Sequence, residues 1–230
     1  MLDKVGEALL DKLSKTAFWE WFVKKYLSSY TLRFFGYPKF PMDDFFTIVD
    51  KLDKNKIYCF VCSDYESLGS KVIRSVVNSK FTHAGFILPG NDRSTRCVHM
   101  RSIGLQNDHL LSLLREVDYI AVVEPDIKCP EDHEEAKTRL QAILDHEDEY
   151  SYDFEERLDN GAHKLYCSEL IFKVLGGLCT SRNFVPETIL GREVFLPDNI
   201  VDIGDVVYTN HEDVKGNALL LRCLSKRDYQ

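Results

Sequence analysis

The sequence predicts an α+β fold in which helices pack on an antiparallel sheet. Three observations predict it. Apolar runs of strand length lie in the middle and at the end of the chain; helix-period stripes lie before and between them; and no regular β–α alternation opens on a glycine-rich phosphate loop. The chain has 230 residues, 44% apolar and 12% aromatic, enough for one large domain or a domain with an extension.

Residues 1–29 read as helix: Leu2, Val5, Leu9 and Leu13 recur at three- and four-residue steps, and Trp19, Phe22 and Tyr26 continue the stripe. Its charges nearly cancel, so it suits packing on the body of the protein or on a second copy, with membrane or partner docking as the alternative. Gly36, Pro38 and Pro41 mark a linker over 30–44. A short helix is expected over 45–52. The apolar run 57–62 reads as a buried strand, and Ser63-Asp64 as the cap of a helix over 65–77.

Next comes a strand over 81–88, ended by Pro89-Gly90-Asn91, with 96–100 as its return, so the pair reads as a hairpin. A short helix is expected at 107–116 and a strand at 119–123. Pro130 opens a helix to about 145, with Ala136, Leu140, Ile143 and Leu144 inward. A helix over 166–175 ends at Gly176-Gly177, and a strand at 206–208 follows the Gly204-Asp205 turn. The expected division is a helical extension, 1–45, and a main domain, 46–230.

Composition excludes several functions. The net charge of −8 argues against a nucleic-acid partner held by phosphate contacts. Residues 126–159 hold thirteen acidic and four basic side chains, which accounts for the whole excess. They form either a solvated face or a rim that attracts a cationic group. No apolar run reaches the roughly 18 residues of a membrane span. Charges at Asp3, Lys4, Glu7, Asp11 and Lys12 interrupt any signal-peptide core, so a cytoplasmic location is expected. Seven cysteines, an odd number without framework spacing, are expected to be reduced.

Cys167 has the best setting for a nucleophile. It follows a turn-prone stretch and opens a run in which Leu170, Ile171, Val174 and Leu175 form one stripe. A helix N-terminus and a nearby imidazole both favour thiolate, and first-turn amides can hold an oxyanion. Cys59 and Cys62 form a C-x-x-C, but on a strand residues three apart face opposite ways, and no second pair completes a zinc site, so no metal is expected. Cys97, Cys129, Cys179 and Cys223 lack partners near in sequence.

His83 lies in an apolar strand beside Ala84 and Gly85, which leave room for close approach. It is either a satisfied core histidine or a base. If His99 on the return strand faces the same way, it can orient His83. His109, His133, His146, His163 and His211 are expected at the surface.

Thr82-His83-Ala84-Gly85-Phe86, the polar His99 on the next strand, Tyr152-Asp153-Phe154, Tyr166-Cys167-Ser168-Glu169-Leu170 and Phe195-Leu196-Pro197-Asp198 together resemble the permuted NlpC-type papain-like cysteine amidases and peptidases. The YiiX-like branch is the nearer likeness and lecithin–retinol acyltransferase relatives the more distant. The likeness covers about 45–208. It implies a circularly permuted papain-like fold, with histidine before cysteine. Cys167 would be the nucleophile, His83 the base and His99 the orienting third member. Two departures stand out: Asn55-Lys56 replaces a Gly-Asp turn, and His99 stands where the YiiX-like branch often has Glu. Oxyanion or substrate contacts are expected from Tyr166 and from Ser63, Asp64 and Tyr65. The implied activity is a cysteine hydrolase acting on a peptide or lysine-type amide through a thioester, with no cofactor. Thiol acyl transfer, lipid-ester hydrolysis and a non-catalytic binding module are the alternatives, and the partner is a small-molecule, peptide or acyl-lipid substrate.

Overall fold

The computed structural model of the protein describes residues 42–63, 79–91, 94–153, 158, 161, 163–189 and 191–210. The helices expected at 1–29 and 65–77, Asp64, Tyr65, Phe154, His211 and Cys223 lie outside the described residues.

The chain is α+β, with a six-stranded antiparallel sheet packed by helices. Helix α1 (Met42–Lys51) leads to strand β1 (Tyr58–Ser63), which is buried throughout, as its unbroken apolar run requires. Then come β2 (His83–Leu88), β3 (Arg96–Arg101) and β4 (Gly104–His109), the short helix α2 (Leu110–Leu114) and β5 (Tyr119–Pro125). Helix α3 (Pro130–Leu144) precedes a two-stranded parallel pair, β6 (Ser151–Tyr152) and β7 (Lys164–Leu165). Helix α4 (Cys167–Leu175) is followed by the hairpin β8 (Glu187–Ile189) and β9 (Arg192–Val194). Helix α5 (Pro197–Val201) and β10 (Gly204–Thr209) complete the order. The main sheet runs β10-β5-β1-β2-β3-β4, with every neighbouring pair antiparallel.

Strand β4 corrects the sequence expectation, which began a helix at 107. Gly104, at φ 109°, turns the chain so that β4 pairs back along β3 from Arg101↔Gly104 to Arg96↔His109. Only then does α2 start. Its N-cap is His109, whose Nδ1 accepts from Leu111 N–H at 3.1 Å. His133 also departs from expectation. It is buried on α3, and its Nδ1 accepts from Ile57 N–H at 3.4 Å.

The sheet separates two cores. One face carries Cys59, Val61, Ala84, Phe86, Val98 and Met100 against the stripes of α3 and α4, with Leu140, Leu170, Ile171 and Val174 among them. The other carries Tyr58, Phe60, Cys62, Ile87 and Cys97 against Phe45 and Ile48 of α1 and Leu110, Leu113 and Leu114 of α2. Cys59 and Cys62 thus fall in different cores, as a period of two dictates. No described helix is long and apolar enough to cross a membrane.

Candidate functional site

His83 opens β2 and His99 lies on β3. The pleat gives His83 and Gly85 the parity of Ile87, on the face covered by α1 and α2. Both imidazoles flank Phe60, with ring centroids at 6.1 and 5.8 Å. Gly85 makes this possible: a Cβ there would lie 2.6 Å from His99 Cβ and 2.7 Å from Phe60 Cε1.

His83 Nε2 lies 2.6 Å from His99 Nδ1, and His99 Nε2 lies 3.1 Å from Asp108 Oδ2 on β4. His99 is fully buried, whereas the Asp108 side chain is 39% exposed. Burial, then His99 and Arg101, pushes the pKa of His83 well below the imidazole value. Burial also lowers that of His99, against the opposing pull of Asp108. The hydrogen bond to His99 lowers that of the Asp108 carboxyl. Both imidazoles are therefore neutral at neutral pH, and Asp108 is a carboxylate. Sequence reasoning placed 107–116 in a helix and so missed Asp108. Residues 104–109 carry no apolar alternation that would have marked the strand that presents it.

Cys167 is the first residue of α4, with Tyr166 as N-cap, and is 5% exposed. It is in no disulfide, like the other five described cysteines. The helix starts here because the stripe Leu170, Ile171, Val174 and Leu175 seats on the sheet while Glu169 reaches back to accept from Tyr166 N–H at 3.3 Å. Tyr166 and Ser168, on either side of the thiol, are both tied to Phe195. The Tyr166 hydroxyl accepts from Phe195 N–H at 2.9 Å, and the Ser168 hydroxyl donates to the Phe195 carbonyl.

Three residues on, the Asp198 carboxylate holds the segment that leads into His83. It accepts from the Ser79 hydroxyl at 2.8 Å, Lys80 N–H at 2.8 Å and Phe81 N–H at 2.9 Å. A stretch from Phe195 to Asp198 spans at most about 11 Å between Cα atoms, so one strap ties the start of α4 to the start of β2. His83 bonds to His99, and the strap ties the segment just before His83 to the residues that flank Cys167. The stripe of α4 covers the opposite face of the sheet from the one that carries His83 and His99.

Of the remaining expected residues, Ser63 is buried and its hydroxyl donates to the Lys80 carbonyl at 2.8 Å, which uses the one proton it could offer an oxyanion. Tyr166 is buried behind the thiol, next to Val194 and Leu196, with half-buried Tyr152, Leu158 and Ile189 around them. Among the described residues no cluster of His, Cys, Asp and Glu suits a metal ion.

No protein-family model matches the chain, and neither the curated proteins nor the solved structures yield a match.

Proposed function

We propose that the protein is a cysteine-dependent hydrolase with a permuted papain-like arrangement, in which Cys167 attacks an amide carbonyl, His83 is the base and His99 positions it. The observation that carries the reading is the buried His83–His99 pair, at 2.6 Å, at the strand start that the Phe195–Asp198 strap ties to the Cys167 helix.

Neutral His83 takes the thiol proton as sulfur attacks the acyl carbon. The tetrahedral oxyanion forms at the N-terminal end of α4, where the helix dipole stabilises negative charge. Its collapse breaks the C–N bond, and the amine leaves with the proton from His83. Water then attacks the thioester, passes a proton to His83 and releases the acid and the thiol. Lipid-ester hydrolysis or acyl transfer is the second reading, favoured by the apolar cluster of Tyr166, Val194 and Leu196 beside the nucleophile. A cytoplasmic location and a small-molecule, peptide or acyl-lipid partner belong to the same proposal.

The test is the pH dependence of iodoacetamide alkylation at each cysteine, read by peptide mass spectrometry in the native protein and in His83→Ala. Iodoacetamide is a small probe, suited to a residue that is 5% exposed. Labelling of Cys167 at neutral pH, slowed in His83→Ala, supports the pair and justifies a panel of amides and acyl esters. A rate equal to that of an ordinary thiol and unmoved by His83→Ala sinks it and leaves a binding module.

A further inference from the structure

From the chain of contacts between β2, β3 and β4, we infer that Asp108 is a positioning residue that sets the tautomers of both histidines, leaving the basic lone pair of His83 on Nδ1. The inference rests on the proposed catalytic role of His83 only for its use, since the tautomers follow from the hydrogen bonds alone.

An ionised carboxylate only accepts, so at the Asp108 end the proton belongs to His99 Nε2, 3.1 Å from Oδ2. A neutral imidazole carries one N–H, so His99 Nδ1 is then a bare acceptor. His83 Nε2, 2.6 Å away, must supply the proton of that bond. The single N–H of neutral His83 is thus spent on His99, and Nδ1 keeps the lone pair. Without a carboxylate at position 108 the reverse set, with N–H on His99 Nδ1 and His83 Nδ1, satisfies the His83–His99 bond equally well. In that set His83 has no free lone pair for a thiol.

The same chain answers the weakness of a histidine as third member. An imidazole alone stabilises an imidazolium less than a carboxylate does. Here the carboxylate lies one imidazole further on, and both N–H groups point toward it when His83 takes a second proton at Nδ1. Arg101, which pairs with Glu116 at 2.5 Å, and Arg96, whose Nε donates to Asn107 at 3.0 Å, add positive charge that helps hold the Asp108 carboxyl below the usual carboxylate range. Asp108 lies on the edge strand and is 39% exposed at its side chain, so replacing it opens no cavity in the core.

The experiment is imidazole ¹⁵N NMR on full-length protein labelled at histidine, in a Cys167→Ser background that removes any contribution of the thiol. The expected spectrum at neutral pH has both His83 and His99 protonated on Nε2, assigned by His83→Gln and His99→Gln. Asp108→Ala should move protonation toward Nδ1, and Asp108→Glu should restore it. In the native background, Asp108→Ala should slow alkylation of Cys167 about ten-fold, the low end of what groups that orient a functional imidazole contribute. A proton on Nδ1 of either ring in the parent protein, or a spectrum unchanged by Asp108→Ala, overturns the inference whatever Cys167 does. The expected tautomers combined with a Cys167 rate indifferent to His83 support the tautomer assignment and bring down the catalytic reading instead.

Discussion

Helices α3 and α4 both begin on a cysteine, and their surroundings could hardly differ more. At α3, Cys129 is the N-cap residue, partly exposed and followed by Pro130, Glu131 and Asp132. The hydrogen bond that its thiol donates to the Asp132 carboxylate pushes the thiol pKa up. At α4, Cys167 is buried between two residues bonded to Phe195, over a stripe that seats the helix on the sheet. The backbone of a helix start offers the same partial positive charge in both places. Neighbouring groups decide what it does: at α3 the Asp132 carboxylate in the same first turn opposes it, whereas at α4 a strap ties the residues that flank the thiol to the segment just before His83.

The largest effect that sharpens this contrast is on alkylation. His83→Ala should slow Cys167 by about 10²-fold or more, the usual scale of a general base, and leave Cys129 unmoved. Equal responses at the two cysteines would erase the distinction. Next in size, Asp198→Ala removes an acceptor from Ser79, Lys80 and Phe81. It should destabilise the fold by about 1.5–3 kcal/mol in urea unfolding and bring Cys167 labelling toward that of Cys129. Retention of both rate and stability would show that the strap positions nothing.

Gly85→Ala forces a Cβ to within 2.6 Å of His99 Cβ. An expected loss of about 1–3 kcal/mol, measured by the same unfolding, reflects overpacking in a site that holds the two rings together. A smaller effect comes from pH. Burial lowers the pKa of His83 and His99 from 6.5, so below that value the unfolded chain binds more protons than the folded one. Stability is complete above 6.5 and falls as pH drops below it, by up to about 1.4 kcal/mol per pH unit for each imidazole. Urea midpoints from about pH 7 to about pH 5.5 should show the slope, and a His83→Ala/His99→Ala double variant should flatten it. The smallest change is at the other helix. Asp132→Asn should lower the Cys129 thiol pKa and raise its labelling modestly at mildly alkaline pH, with no change at Cys167.

Much of the frame was legible along the chain. The apolar run at 57–62, the hairpin of 81–88 with 96–100, and the stripe behind Cys167 each carry their own period, and the structure has β1, β2, β3 and α4 there. His83 and His99 could be paired as candidates because a hairpin places two neighbouring strands side by side. Strand β4 was not legible: Gly104, Gln106, Asn107 and Asp108 make a polar edge strand, half exposed, without the apolar alternation that marks a strand. His133 looked like a surface residue among acidic neighbours, yet α3 turns it inward to accept from Ile57 N–H. Ser63 looked like a donor for substrate, yet the nearest acceptor is the Lys80 carbonyl.

By itself the sequence determined the α+β class and the apolar strands and striped helices, β1, β2, β3, β5, α3 and α4, because hydrophobic period and capping act over a few residues. It also determined which thiol opens an apolar helix. Only the tertiary structure decided the rest: that Asp108 stands at the end of the histidine pair, that the pair faces α1 and α2, and that Phe195 to Asp198 ties Cys167 to the start of β2. Each of these depends on strand register or on hydrogen bonds between residues 9 to 119 positions apart, and neither leaves a periodic trace in the chain.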